Sequence, residues 1–223
     1  MMKNIKHYIA NANGTLSKFE IQIEKAVKMA EDYAVMKLKI KFAINIIFIN
    51  ALDDVIPETH IGGRTYSNEF ITIAIDSSVN EIKTEDLFQM ICHELCHAAR
   101  WQYNNELMST LLDGMIFEGL ATAFEIEAAL ENKLTLDYFA KTVANQTDND
   151  NEKILDNLRN ELNSQNYDYH KIFYPGDERL DLPRWAGYSV GYYLVKKYMA
   201  KTNKNASEIF AEKYSVLEKL ALQ

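Results

Sequence analysis

LFQMICHELCHAARW, Leu87 to Trp101, is the most informative run of this chain. Thr84, Glu85 and Asp86 supply a cap and an acidic first turn in front of it, and Asn104-Asn105 break the pattern behind it. The spacing therefore predicts a helix from Thr84 to about Tyr103. Inside this helix stands His93-Glu94-Leu95-Cys96-His97, an H-E-x-x-H sequence. Histidines at i and i+4 share a helical face, so both imidazoles can reach one zinc ion at about 2.0–2.1 Å, with Glu94 beside the metal. Leu87, Phe88, Met90, Ile91, Leu95, Ala98 and Trp101 wrap the same helix in apolar side chains. Two histidines and a glutamate buried among them need partners, and a metal supplies them at once. In that setting Glu94 is the general base, taking a proton from a zinc-activated water that attacks a peptide carbonyl and passing it to the leaving amine.

Outward from the motif, the chain reads as mostly helical. Upstream, an amphipathic helix spans Leu16 to about Met36, and two β-rich runs, Phe42–Ala51 and Glu69–Asp76, flank a loop holding Pro57, Gly62 and Gly63. Downstream, Asp113-Gly114 punctuates the chain before a helix from Met115 to about Leu130, succeeded by a shorter helical segment. Helical patterns resume at Ile154–Leu162, Trp185–Met199 and Ala206–Leu222, with an aromatic loop at Tyr167–Pro175. The class is α+β, mostly helical, with a small N-terminal β-sheet. With 8 Gly and 3 Pro in 223 residues there is little linker material, so 1–223 reads as a single domain. The early sheet and motif helix occupy about 40–131 and a C-terminal helical part about 132–223. Asp148-Asn149-Asp150 starts like a calcium loop, but Lys153 stands at the glycine position and Arg159 at the terminal glutamate position.

Twenty-four basic against 32 acidic residues leave a formal charge of −8, which excludes nucleic acid and anionic membrane as natural partners. MMKNIKHYIANANG carries no apolar run of an export signal, and Phe42–Ala51 is too short to span a bilayer. The expected setting is the cytoplasm. Cys92 and Cys96, four apart on a helix, are too distant for an unstrained disulfide and read as small buried packing residues rather than zinc ligands.

A zinc site needs a third protein ligand. The metzincin continuation is absent, since Ala98, Ala99, Arg100 and Trp101 come after His97, but Phe117-Glu118-Gly119-Leu120-Ala121 opens the next helix at a distance that suits a loop and a return. Here the chain resembles the gluzincins, zinc metallopeptidases with H-E-x-x-H on one helix and a glutamate ligand on the next, often in N-E-G-x-A, where this chain has Phe117 for the Asn. More narrowly it resembles a bacterial family of predicted zinc-dependent proteases with a G-G-R-T loop and a late A-G-Y-x-x-G-Y helix. Gly62-Gly63-Arg64-Thr65 and Ala186-Gly187-Tyr188-Ser189-Val190-Gly191-Tyr192 match these segments in the same order. The resemblance implies a zincin-like (gluzincin) fold, one Zn2+ per chain on His93, His97 and Glu118, and a peptide or protein substrate.

Glu125 lies two helical turns after Glu118, where it either supports a ligand histidine, as the gluzincin pattern suggests, or is solvated. Tyr188 and Tyr192 project from one stripe of their helix, and either hydroxyl could donate to the oxyanion or simply pack. His170, in the aromatic loop, is the next candidate donor; His7 and His60 have weaker cases. The alternative function is a zinc-binding regulatory or binding protein of the same fold without significant turnover, against which an intact Glu94 counts, because structural zinc needs no base.

Overall fold

In the computed structural model, which describes residues 4–104 and 106–222, the β-rich runs join a four-stranded sheet ordered β1-β2-β4-β3. β1 (Ile5–Ile9), β2 (Ile44–Asn50) and β4 (Phe70–Ile75) run parallel, and β3 (Ile61–Ser67) pairs antiparallel with β4 at the edge. β2 and β4 lie within the two expected strands. β3 replaces the expected loop: its register sets Gly63 against Ile73 and Arg64 against Thr72, so a backbone that its glycines would leave unstructured is held by the ladder of β4. β1 is a further strand at the amino terminus.

Parallel strands need a long crossover. α1 (Glu20–Lys37) supplies it between β1 and β2, burying Ile23, Ala26, Val27, Ala30 and Ala34. α2 (Thr84–Tyr103) has the expected ends, although Lys83 occupies the cap position and no side chain caps it, contrary to the role expected of Thr84. Its glutamines organise the loops around it. Gln102 accepts from the backbone N–H groups of Lys41 and Phe42 and donates to the carbonyls of Phe42 and Asn68. Asn105, read as half of the break after α2, lies outside the described residues.

α3 (Leu111–Glu131) begins earlier than expected, because Asp113 caps rather than interrupts it: its carboxylate accepts from Ser109 N and Thr110 N, and Thr110 Oγ1 accepts from Asp113 N. α4 (Tyr138–Asn145) and α5 (Asp148–Asn157) come next. Asp148-Asn149-Asp150 forms the first turn of α5, capped by Thr147, which accepts from Asp150 N. Short α6 (Tyr169–Phe173) occupies the aromatic loop, and α7 (Ala186–Thr202) carries the late glycine–tyrosine segment. The last expected helix is two, α8 (Ala206–Ile209) and α9 (Tyr214–Ala221).

Packing divides the chain into two compact units, Met1–Asn105 with Phe124–Phe139 and Glu106–Ala123 with Ala140–Gln223. The first holds the sheet, α1, α2 and the carboxyl-terminal part of α3. The second holds the amino-terminal part of α3, most of α4, and α5 to α9. α3 itself is unbroken, so the division falls inside a helix rather than at a linker. No described helix is long and apolar enough to cross a membrane.

Candidate metal centre

α2 is buried over most of its length, and His93, Glu94 and His97 are 5 %, 5 % and 4 % exposed. The two imidazoles stand edge to face, centroids 4.9 Å apart. His93 Nδ1 lies 3.0 Å from Glu125 Oε2. A neutral imidazole donating from Nδ1 to that carboxylate presents Nε2 as an acceptor, the tautomer a metal ligand needs. Glu125 is fully buried; burial raises its carboxyl pKa, and its bonds to His93 and Asp137 pull it back down. Gln89 fixes the segment bearing Asp137, accepting from Asp137 N and donating to Thr135 O.

Glu94 is held from β3. Thr65 Oγ1 donates to Glu94 Oε2 at 2.6 Å and reaches Glu94 O at 3.0 Å. A Cβ placed on Gly63 would lie 2.6 Å from both Glu94 Cγ and Oε1, so the carboxylate rests where any other side chain would be. Gly62 has a different reason: Asp54 O would be 1.9 Å from its Cβ. The Gly62-Gly63-Arg64-Thr65 segment is therefore one close backbone approach, one carboxylate seat and one hydroxyl anchor. Arg64 turns away and lies over the Tyr66 ring.

Glu118 sits on α3 among aromatic residues. Tyr169 Oη donates to Glu118 Oε1 at 2.8 Å. Burial and the Glu118 charge push the Tyr169 phenol pKa far up, which keeps it a donor. Its ring stacks on Phe173 with centroids 4.3 Å apart, and its hydroxyl also bonds to that of Tyr188, which bonds in turn to Tyr174. Glycines make this cluster fit. Gly187 leaves the space taken by the Phe173 ring, 2.7 Å from where a Cβ would be. Gly119 and Gly191 meet backbone to backbone, each lacking the Cβ that would strike the other helix at about 2 Å. The Glu118-Gly119 and Gly187–Gly191 segments thus close on each other beside Glu118.

Among the described residues, His93, His97 and Glu118, all buried, form a group that could hold a metal ion, each offering a ligand atom within 4.8 Å of the others. Cys92 and Cys96 are buried and form no disulfide, and burial pushes the Cys92 thiol well above its ordinary range. Tyr192 is half-buried near Lys196, whereas Tyr188 belongs to the hydroxyl cluster at Glu118. His170 is exposed and stacks on Tyr174. His7 pairs with Glu24 and His60 with Asp76. Thr65, Asp137 and Tyr169 are residues that sequence reasoning missed. Thr65 stands inside the G-G-R-T motif, and Tyr169 stands beside His170, which drew attention for its chemistry instead.

The family described as Predicted Zn-dependent protease (DUF2268) matches residues 16–218. No curated protein and no solved structure matches the chain.

Proposed function

The chain belongs to this family of predicted Zn-dependent proteases, and on that premise we propose that it is a gluzincin-like zinc peptidase that hydrolyses peptide bonds. His93, His97 and Glu118 would hold one Zn2+. The donor set fits: two imidazoles, of which His93 has Nδ1 engaged by Glu125 and would coordinate through Nε2, and one carboxylate on the helix that also bears Glu125. Seven residues, about two turns, separate Glu118 from Glu125, so they share one side of α3. Bound there, zinc supplies Lewis acidity and an acidified water.

The protein's own groups then have distinct tasks. Glu94 takes the proton on Oε1, the oxygen over Gly63, while Thr65 holds Oε2 and so fixes the plane of the carboxylate. The same proton goes to the leaving amine. β3 is the last strand of the sheet, and an extended peptide would add to it through main-chain hydrogen bonds. Tyr188, rather than Tyr192, would steady the developing oxyanion, since its hydroxyl belongs to the group that ends at Glu118. Two cysteines outside any disulfide suit a cytoplasmic, reducing setting.

The observation that carries this reading is the buried His93–His97–Glu118 group with the Glu94 carboxylate anchored one residue from the first histidine. The test is metal analysis of the purified protein and digestion of a proteome-derived peptide library with and without chelator. One zinc per chain and chelator-sensitive cleavage are expected. A zinc-loaded protein that cleaves nothing in the library would overturn the peptidase assignment.

A further inference from the structure

Glu118 is 6 % exposed, and a buried carboxylate oxygen without a donor is expensive. Tyr169 supplies that donor on Oε1. Its position is fixed from several directions. Asp168 caps α6 by accepting from Lys171 N, placing Tyr169 at the first residue of that helix. Phe173, one turn on, stacks against its ring at an angle of 15° and is itself held in the space that Gly187 leaves open. Tyr188 ties the hydroxyl from another side. A ring that merely filled space would need neither the hydroxyl nor this bracing, because phenylalanine presents the same stacked face.

We infer that Tyr169 is a positioning residue for the metal ligand Glu118: its phenol donates to Oε1 and sets the plane of the carboxylate offered to the metal. The inference rests on the reading of Glu118 as a zinc ligand. It assigns the aromatic loop a role in metal affinity, and none in contacting the substrate. Partners that orient a ligand in this way typically contribute about 10–100-fold in affinity.

The test is zinc affinity, measured by competition with a chromophoric chelator in the absence of substrate, for the parent, Tyr169→Phe, Glu118→Ala and the double variant. Tyr169→Phe should bind zinc about 10–100-fold more weakly than the parent, with unchanged metal-free circular dichroism. Glu118→Ala should bind more weakly still, and the double variant should equal Glu118→Ala, because Tyr169 acts only through that carboxylate. Tyr169→Phe affinity within about twofold of the parent, or an equal loss in the Glu118→Ala background, would overturn the inference. If Tyr169→Phe does not fold, Tyr188→Phe replaces it. That variant keeps the Tyr169–Glu118 bond, removes its outer support and should lose a few-fold in affinity, on the order of 3–10; no loss overturns the inference. A Glu118→Ala protein that binds zinc like the parent instead removes Glu118 from the ligand set, and the inference falls with the reading beneath it.

Discussion

Glu94 and Glu118 are both buried carboxylates steadied by one hydroxyl, yet their surroundings are opposite. Glu94 rests against an edge strand, over a glycine, with the small Thr65 side chain as its anchor. Glu118 is steadied by a tyrosine locked into stacked rings. The difference matches the two tasks proposed for them. A base must gain and lose a proton, so one oxygen is held and the other lies against backbone with no donor side chain at Gly63. A ligand should not move, and heavy rings braced on each other give it less freedom than a threonine does. Glu125 is a third case, held by an imidazole whose tautomer it sets.

Removing the proposed ligands should have the largest effect. Glu118→Ala and His93→Ala should each lose zinc at stoichiometric protein concentration and lower the unfolding temperature of the zinc-loaded protein, since metal affinity adds directly to folded-state stability. Metal analysis and thermal unfolding read both effects. Glu94→Gln should behave differently: zinc stays, and kcat falls by about 10²–10⁴, because the amide keeps size and hydrogen bonding but loses the basic oxygen. Unchanged turnover in Glu94→Gln would assign the base elsewhere.

A mirrored pair of glycine variants separates the two seats. In Gly63→Ala the new methyl meets Glu94 at 2.6 Å, and in Gly187→Ala it meets the Phe173 ring at 2.7 Å. The first should displace the base, lowering kcat by on the order of 10²-fold with zinc affinity unchanged. The second should loosen the stack beneath Tyr169, weakening zinc by about tenfold or more. Both variants are assayed for kcat and for zinc affinity, and the expected result is that each moves one quantity. If Gly63→Ala weakened zinc as much as Gly187→Ala does, the two seats would not be independent and the contrast would fail.

The features legible in the sequence are those one helix can encode alone. The ends of α2 come from its apolar run and the polar residues at its borders, and the pairing of His93 with His97 comes from a spacing of four. Glu118, placed by the return of the next helix, is the residue the structure brings to them. The features that were not legible are nonlocal. β3 is not legible because its two glycines, with Pro57 before them, read as a loop, yet those glycines make room for Asp54 and Glu94, contacts that no local pattern displays. Tyr169 was passed over for its neighbour His170, because side-chain chemistry suggested the imidazole and only packing singles out the phenol. The break between α8 and α9 lay inside one continuous periodic pattern.

A further carboxylate, Glu218 on α9, tests how a half-buried acid beside other acids behaves. It shares a hydrogen bond with Asp113 and faces Glu106. Those two acids are already held by backbone donors: Asp113 Oδ2 accepts from Ser109 N and Thr110 N, and Glu106 Oε2 accepts from Tyr214 N. Glu218 therefore keeps its proton, and burial, the Asp113 charge and the shared hydrogen bond push its pKa from 4.5 up to about 7. The sign is set by linkage. The folded chain holds a proton that the unfolded chain releases above 4.5, so stability falls as pH rises from about 4.5 to about 7 and is level beyond. Solvent reaches this site and screens it, so the fall in Tm should be modest, on the order of 2–4 °C between about pH 5 and about pH 8. The metal-free protein is the right sample, because zinc affinity is itself pH-dependent and would otherwise add metal release to the same window. Glu218→Gln keeps a hydrogen-bonding group that cannot ionise, so its Tm should vary less across this range and exceed the parent's at the alkaline end. A Gln variant with the parent's full slope would show that the titrating acid is another one, and that Glu218 is held ionised like the carboxylates around it.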